Sequence, residues 1–179
     1  MFNRFLVGCF AHRIDGVEPR IVELTDPIHI AGMSMQTNIT RIYSDLPALG
    51  RRYRQQKKLH PIAHAREPWA FAAVSKDFDP ETGAMTYIMG DVVTEPGGTE
   101  GLVAFEIPAI TYAVFPVRPK NQMGWAFAIP DAKRYAYTVW LRNSEFQAAG
   151  MIDDFEYHDE RSTRKKDPEI DLYVAVKNR

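Results

Sequence analysis

LVAFEIPAITYAVFPV, residues 102–117, is the longest apolar run in the chain. Its Val, Phe, Ile, Thr and Tyr content favours a strand, and Pro108 interrupts it once. A proline forfeits one ladder hydrogen bond and tends to sit at a bulge, so the run predicts a single buried strand with one kink. An earlier stretch, VELTDPIHIAGM at 22–33, has the same design. Glu23 matches Glu106, Ile30 matches Tyr112 and Ala31 matches Ala113, a shift of 82 to 83 positions (113 − 31; 106 − 23). Such self-similarity says that one unit is written twice.

The rest of the chain repeats in the same order. In the first copy the strand is followed by a helix starting near Ser44 or Asp45, with Pro47 in its first turn and Leu46, Leu49 and Tyr53 facing the core. Arg51, Arg52, Arg54, Lys57 and Lys58 form its solvated basic face. A hairpin follows, Trp69 to Val74 and Met85 to Thr94, with turn residues Asp79 to Gly83 between. Glu95-Pro96-Gly97-Gly98 is the best break and joins the halves. In the second copy a helix lies within Gly124 to Asn143, with Asp131 as its N-cap and Ala132, Ala136 and Val139 as its apolar stripe. The closing hairpin is Asp154 to Asp159 and Glu169 to Lys177. Ile170, Leu172, Val174 and Val176 face one way, Tyr173 and Ala175 the other.

In the hairpins the repeat reads with a shift of 86, Tyr87 against Tyr173 (173 − 87), and it sets Ala70 against Glu156. The expected fold class is therefore α+β: duplicated strand-helix-strand-strand units with pseudo-two-fold symmetry, an antiparallel sheet and two main helices. One domain over 1–179 is expected, made of repeats at about 20–94 and 102–178.

Composition narrows the function. The chain has 179 residues, 45% of them hydrophobic, enough for a sizeable core, and a formal net charge of −1. No global field draws it to nucleic acid or an anionic membrane. No run of 18 apolar residues could form a spanning helix, and Met1 to Phe10 lacks a signal-peptide cleavage site. The single Cys9 excludes an internal disulfide. His60 and His64 are separated by Pro61 and make no HExxH pattern, so no metal or other cofactor is expected. A cytoplasmic protein fits these features.

The ordered segments EIPAITYAVF, VWLRNSEFQ, DDFEYHDE and EIDLYVAVK, with DLPALGRRY and SKDFDPETGAMTYIMG in the first half, resemble the GyrI-like, or AraC-type effector-binding, superfamily. The similarity runs from about Arg20 to Lys177. It implies a small-molecule binding protein, similar to integron-cassette proteins that bind cationic drugs, with a separate regulatory protein as a possible partner. The length ahead of Arg20 leaves no room for the family's DNA-binding module, and the expected partner is a cationic or amphipathic small molecule, not nucleic acid or membrane. The alternatives on the same scaffold are a hydrolase of strained-ring toxins and a gyrase-inhibitor-like protein.

In the drug-binding relatives a buried glutamate on the strand matching DFEYHD meets the ligand's positive charge, and Glu156 is the matching residue. Read without the resemblance, Glu156 is either an exposed hairpin residue beside Asp154 and His158 or a carboxylate in an aromatic cleft. In a cleft it would be costly to ionise unless a cation replaced the lost water. Tyr87, Tyr112 and Tyr173 are expected to line that cleft at the junction of the halves, with Trp69 and Trp125 as further walls, since aromatic faces attract cations. Trp69, Phe71, Phe155 and Tyr157 read first as core. Trp140 and Leu141 are expected in the core.

Overall fold

A computed structural model describes residues 4–95, 97 and 100–179. The break expected at 95–98 lies partly outside these residues. The elements, in order, are α1 (Arg4–Phe10), β1 (Arg20–Glu23), β2 (Ile28–Asn38), α2 (Ile42–Leu59), β3 (Phe71–Lys76), β4 (Ala84–Val93), β5 (Val103–Ile107), β6 (Thr111–Val117), α3 (Trp125–Tyr135), α4 (Leu141–Asn143), β7 (Phe146–Ala148), β8 (Asp154–His158) and β9 (Ile170–Asn178). All nine strands join one antiparallel sheet in the order β1-β6-β9-β8-β3-β4-β2-β5, with β7 added against β9. The fold is α+β, and the two copies meet at β3–β8.

The stretch 102–117 is not one kinked strand. It splits at Pro108 into β5 and β6, which sit near opposite ends of the sheet order. Residues 22–33 split in the same way at Pro27, β1 pairing with β6 and β2 with β4 and β5. Each copy thus sends its leading strand onto the other copy. Crossing six strand spacings in a flat sheet means about 29 Å, whereas Pro108, Ala109 and Ile110 reach roughly 15 Å at most. The sheet must curl until its ends meet. They do so at the two crossovers, where Leu24 N–H donates to Ile110 C=O at 3.1 Å.

Inside the curl lies a core drawn from both copies: Ile30, Val74, Val92, Ile107, Tyr112, Val114 and Phe155, with Tyr173 and Tyr157 partly buried against it. The outer face carries the helices. Leu49 of α2 packs with Ala73 and Tyr87, while α1 and α3 cover Phe115, Leu172 and Val174. The N-terminal lead-in forms α1, which rests on α3 through a Phe10–Phe127 stack with ring centres 4.7 Å apart.

Helix starts differ from expectation. Helix α2 begins at Ile42, so Pro47 lies within it. Helix α3 begins at Trp125 and carries Pro130 and Asp131 inside; Asp131 is not its cap but pairs with Arg134 at 2.8 Å. A π-helical turn at Ala136–Trp140 inserts an extra residue per turn, which shifts the helical phase. Ala132 and Ala136 remain buried, but Val139 rotates to the surface at 37% exposure and Trp140 takes the core position at 8%.

Candidate functional site

Strand register, not residue numbering, decides which side chains meet. Met33 pairs with Met89 and Ala73 with Met89; Phe115 pairs with Leu172 and Glu156 with Leu172. Aligning β2 on β6 by 82 (115 − 33) therefore aligns β4 on β9 by 83 (172 − 89) and β3 on β8 by 83 (156 − 73). The 86-residue shift expected for the hairpins is three residues out. An odd error moves a side chain to the other face of the sheet. The counterpart of Glu156 is thus Ala73, its direct register partner on β3, and not Ala70. The counterpart of Tyr87 is Ile170 (87 + 83), and not Tyr173.

The expected three-tyrosine cleft accordingly does not form. Tyr112 and Tyr173 lie in the inner core, their rings 5.8 Å apart, and Phe155 stacks on Tyr173 at 4.4 Å. The Tyr112 hydroxyl donates to Pro108 C=O at 2.7 Å, so this ring pins a crossover. Tyr87 is on the opposite, helix-bearing face. Trp69 stands in the turn before β3, half-buried.

Glu156 is buried, 5% exposed, on the helix-bearing face. It shares that face with Asp154 and His158, as the alternation requires. Its carboxylate is not waiting for a partner: Lys133 Nζ of α3 stands 2.9 Å from Glu156 Oε1 and 2.9 Å from Asp154 Oδ1. The ammonium also donates to Ser75 Oγ at 3.3 Å, and the Tyr137 hydroxyl donates to Asp154 Oδ2 at 2.9 Å. Burial by itself lowers the Lys133 ammonium, but the carboxylates of Asp154 and Glu156 outweigh it and hold the pKa well above its ordinary value. Burial, and then the charge of Glu156, push the Tyr87 phenol up. Burial pulls the His158 imidazole down, with Glu156 and Asp159 opposing.

Around this cluster the walls are aromatic and pliable. The His158 ring meets Phe71 edge-on at 5.5 Å and Trp125 at 5.9 Å. On the other side Met33, Met35 and Met89 pack partly buried beside Tyr87. Tyr43, at the start of α2 and 55% exposed, lies within electrostatic reach of both Lys133 and Glu156. Sequence reading missed Lys133, Tyr43 and the methionines. The methionines left a signal in their odd-numbered positions, 33, 35 and 89, which place them on the face of Ala31 and Ala73. Lys133 left none, because its reach to β8 depends on how α3 crosses the sheet.

Two cavities lie elsewhere. One of about 140 Å³ is lined by His29, Ile30, Val93, Ala104, Phe105 and Glu106. The other, about 60 Å³, lies beneath the segment after α1, against α3. Among the described residues no group of acidic, histidine or cysteine side chains is arranged to hold a metal ion. No helix among them is long and apolar enough to cross a membrane.

Residues 20–176 match the family model of Cass2, the integron-associated effector binding protein. The chain belongs to this family. Its curated relatives include the transcriptional regulator BrlR of Pseudomonas aeruginosa, 32% identical over 97 residues, which are 52% of this chain and 34% of that protein. The match thus spans about a third of the relative's length. Among solved structures, an integron cassette protein from the mobile metagenome of Vibrio cholerae superposes with a TM-score of 0.62 at 14% identity, covering 89% of this chain and 96% of the other. SAV2435 bound to tetraphenylphosphonium superposes with a TM-score of 0.64 at 12% identity, covering 90% and 94%. At these identities the two structures share the fold. The chain thus has the effector-binding fold of its family, and about half of it resembles a stretch of one transcriptional regulator.

Proposed function

We propose that this effector-binding protein takes up a cationic, amphipathic small molecule at the seam between α2 and α3, with Glu156 as the counter-ion. One observation carries the reading. The buried cluster holds two carboxylates, Asp154 and Glu156, against the one ammonium of Lys133, and a low-dielectric site with surplus negative charge favours a further cation. Methionines and aromatic rings beside it suit a flat or bulky apolar ligand body, because thioether side chains repack at little cost. Tyr87, Phe71 and Trp125 are the ring candidates for contact. Tyr112, Tyr173 and Trp69 act instead from the scaffold. Neither main cavity reaches Glu156 or approaches the 300–1,000 Å³ usual for a ligand site. Ligand entry therefore displaces Tyr43 and moves the methionine side chains. The kinship with tetraphenylphosphonium-bound SAV2435 supports the class of ligand.

The test is tryptophan fluorescence titration with tetraphenylphosphonium. Glu156→Gln keeps the shape and removes the charge. A charge-assisted contact is worth about 1.5–3 kcal/mol, so the variant should bind ten- to a hundred-fold more weakly. Neutral triphenylphosphine oxide should bind both proteins alike. Equal affinity of the two folded proteins for the cation would remove Glu156 from the site.

A further inference from the structure

Lys133 occupies the position that a ligand's cation is expected to take. Its ammonium bridges two carboxylates at 2.9 Å each, but the two are not equivalent. Asp154 is braced by a second donor, the Tyr137 hydroxyl at 2.9 Å, and stands in register with Ser75, whose hydroxyl also accepts from Lys133 at 3.3 Å. Glu156 has no second hydrogen-bond or ion-pair partner beside Lys133 among the described residues. Asp154 Oδ1 is buried with no hydrogen-bond donor and only the Lys133 ammonium near it, so the lysine has a seat on Asp154 and Ser75 and a contact with Glu156 that it can give up. Lys133 projects from the helical turn immediately before the π-helical segment at Ala136–Trp140.

We propose that Lys133 is a tethered counter-ion: it holds the cation position on Glu156 in the empty site and withdraws onto Asp154 and Ser75 when a ligand cation arrives. This rests on the cation-binding reading of the seam. In the liganded state two carboxylates face two cations, one pair internal and one shared with the ligand, so no charge is left over. Asp154 then promotes ligand binding without touching the ligand, because it gives the displaced ammonium somewhere to go. The arrangement also selects among cations. A small ammonium ion only replaces like with like and surrenders its own hydration. A bulky cation with delocalised charge gains apolar contact with Met33, Met89 and Phe71 as well. The ligand class assigned is thus a lipophilic cation with a shielded charge, not a primary amine.

Calorimetric titration with tetraphenylphosphonium of the parent, Lys133→Met, Asp154→Asn and the double variant separates this from a general field effect. Removing the competitor should tighten binding in Lys133→Met about ten-fold. Asp154→Asn should weaken it about ten-fold, since the lysine then has only Glu156 to neutralise. In the Lys133→Met background the aspartate change should matter less than about three-fold, because there is no ammonium to reseat; that non-additivity is the signature of coupling. If Asp154→Asn weakens binding by the same factor in both backgrounds, the carboxylates act as an additive field and the tethered role is wrong. The tethered role fails equally if Lys133→Met binds no tighter than the parent. Should Lys133→Met leave too much buried negative charge to fold, the double variant, which keeps the parent cluster's net charge, is compared with Asp154→Asn, and it must bind at least about thirty-fold tighter. Binding by the parent that is unaffected in Glu156→Gln would instead overturn the site itself. Failure of all these proteins to bind the probe overturns both.

Discussion

At the scale of single residues, the outer face shows how one carboxylate changes what its neighbours must do. Glu156 faces Ala73, whose methyl group leaves the space that the glutamate and the Lys133 ammonium fill. His158, next on the same face, lies between the rings of Phe71 and Trp125 and is held neutral by burial, against the pull of Glu156 and Asp159. Its folded pKa lies below the ordinary 6.5. In the unfolded chain the imidazole takes a proton as the pH falls through about 6.5, whereas in the folded protein it resists until lower pH. Its contribution to stability is therefore complete above pH 6.5 and declines below it. His158→Phe keeps the ring contacts and removes the proton site. Chemical denaturation at about pH 7.5 and about pH 5.5 should show a smaller acid-induced loss of stability in this variant than in the parent. Parallel curves for the two proteins across that range would mean that His158 is not held neutral in the fold.

At the scale of elements, β2 and β4 set two glycines opposite each other, Gly32 and Gly90. A Cβ built on Gly32 would lie 1.9 Å from Met89 O, and one on Gly90 would lie 2.4 Å from Ala31 O, both against backbone that cannot step aside. Next to this pair Met33 and Met89 stand in register and pack against Leu49, Ala73 and Tyr87. Gly90→Ala should cost about 3 kcal/mol or more, by forcing the strands apart. Gly8→Ala, in α1 with nothing within 4 Å of its Cβ, should instead gain up to about 1 kcal/mol from helix propensity. Urea midpoints give both values, and a Gly90→Ala midpoint at or above the parent's would show that the two strands have room to relax. The helices follow the same logic of local fit. α2 is locked to the sheet where the Tyr53 hydroxyl donates to Asp91 Oδ1 at 2.8 Å and Lys57 pairs with the other carboxylate oxygen. Lys57 is thereby drawn out of the solvated basic face to which its neighbours Arg51, Arg52, Arg54 and Lys58 belong.

At the scale of the whole molecule, the halves are interlocked, not merely docked. β1 opens the first copy but pairs with β6 of the second, and β5 opens the second but pairs with β2 of the first. The inner core takes Ile30, Val74 and Val92 from one copy and Tyr112, Val114 and Phe155 from the other. A single copy would lose an edge strand and expose half of that core to water. Separate chains of residues 1–97 and 98–179 should each lack a cooperative thermal transition, and an equimolar mixture should recover one, read by circular dichroism. A cooperative transition in either fragment alone would show that a half-sheet suffices for folding. The curl also explains why the proposed ligand seam and the tyrosine core are separate places: one sheet stands between them.

What the sequence determined by itself was the order of elements and their duplication, because hydrophobic periodicity and turn residues are local and survive without tertiary contacts. The 82-residue match of Ile30 to Tyr112 agrees with the faces of β2 and β6, since both side chains lie in the inner core. The alternation in β9, with Leu172 and Val174 on one face and Tyr173 on the other, was also legible, since a strand's period is two. So was the grouping of Asp154, Glu156 and His158. Tertiary structure alone decided the rest. Pro108 could not be read as a crossover between opposite ends of the sheet, because a proline that bends a strand and one that ends it look alike in sequence. The hairpin register was misplaced by three residues, since a repeated tyrosine is a weaker guide than a ladder of hydrogen bonds, and the error matched Tyr87 to Tyr173 although the two lie on opposite faces. Lys133 reaches Glu156 only because α3 packs over β6 and β9, beside β8, a contact between residues 23 positions apart (156 − 133) that no local pattern encodes.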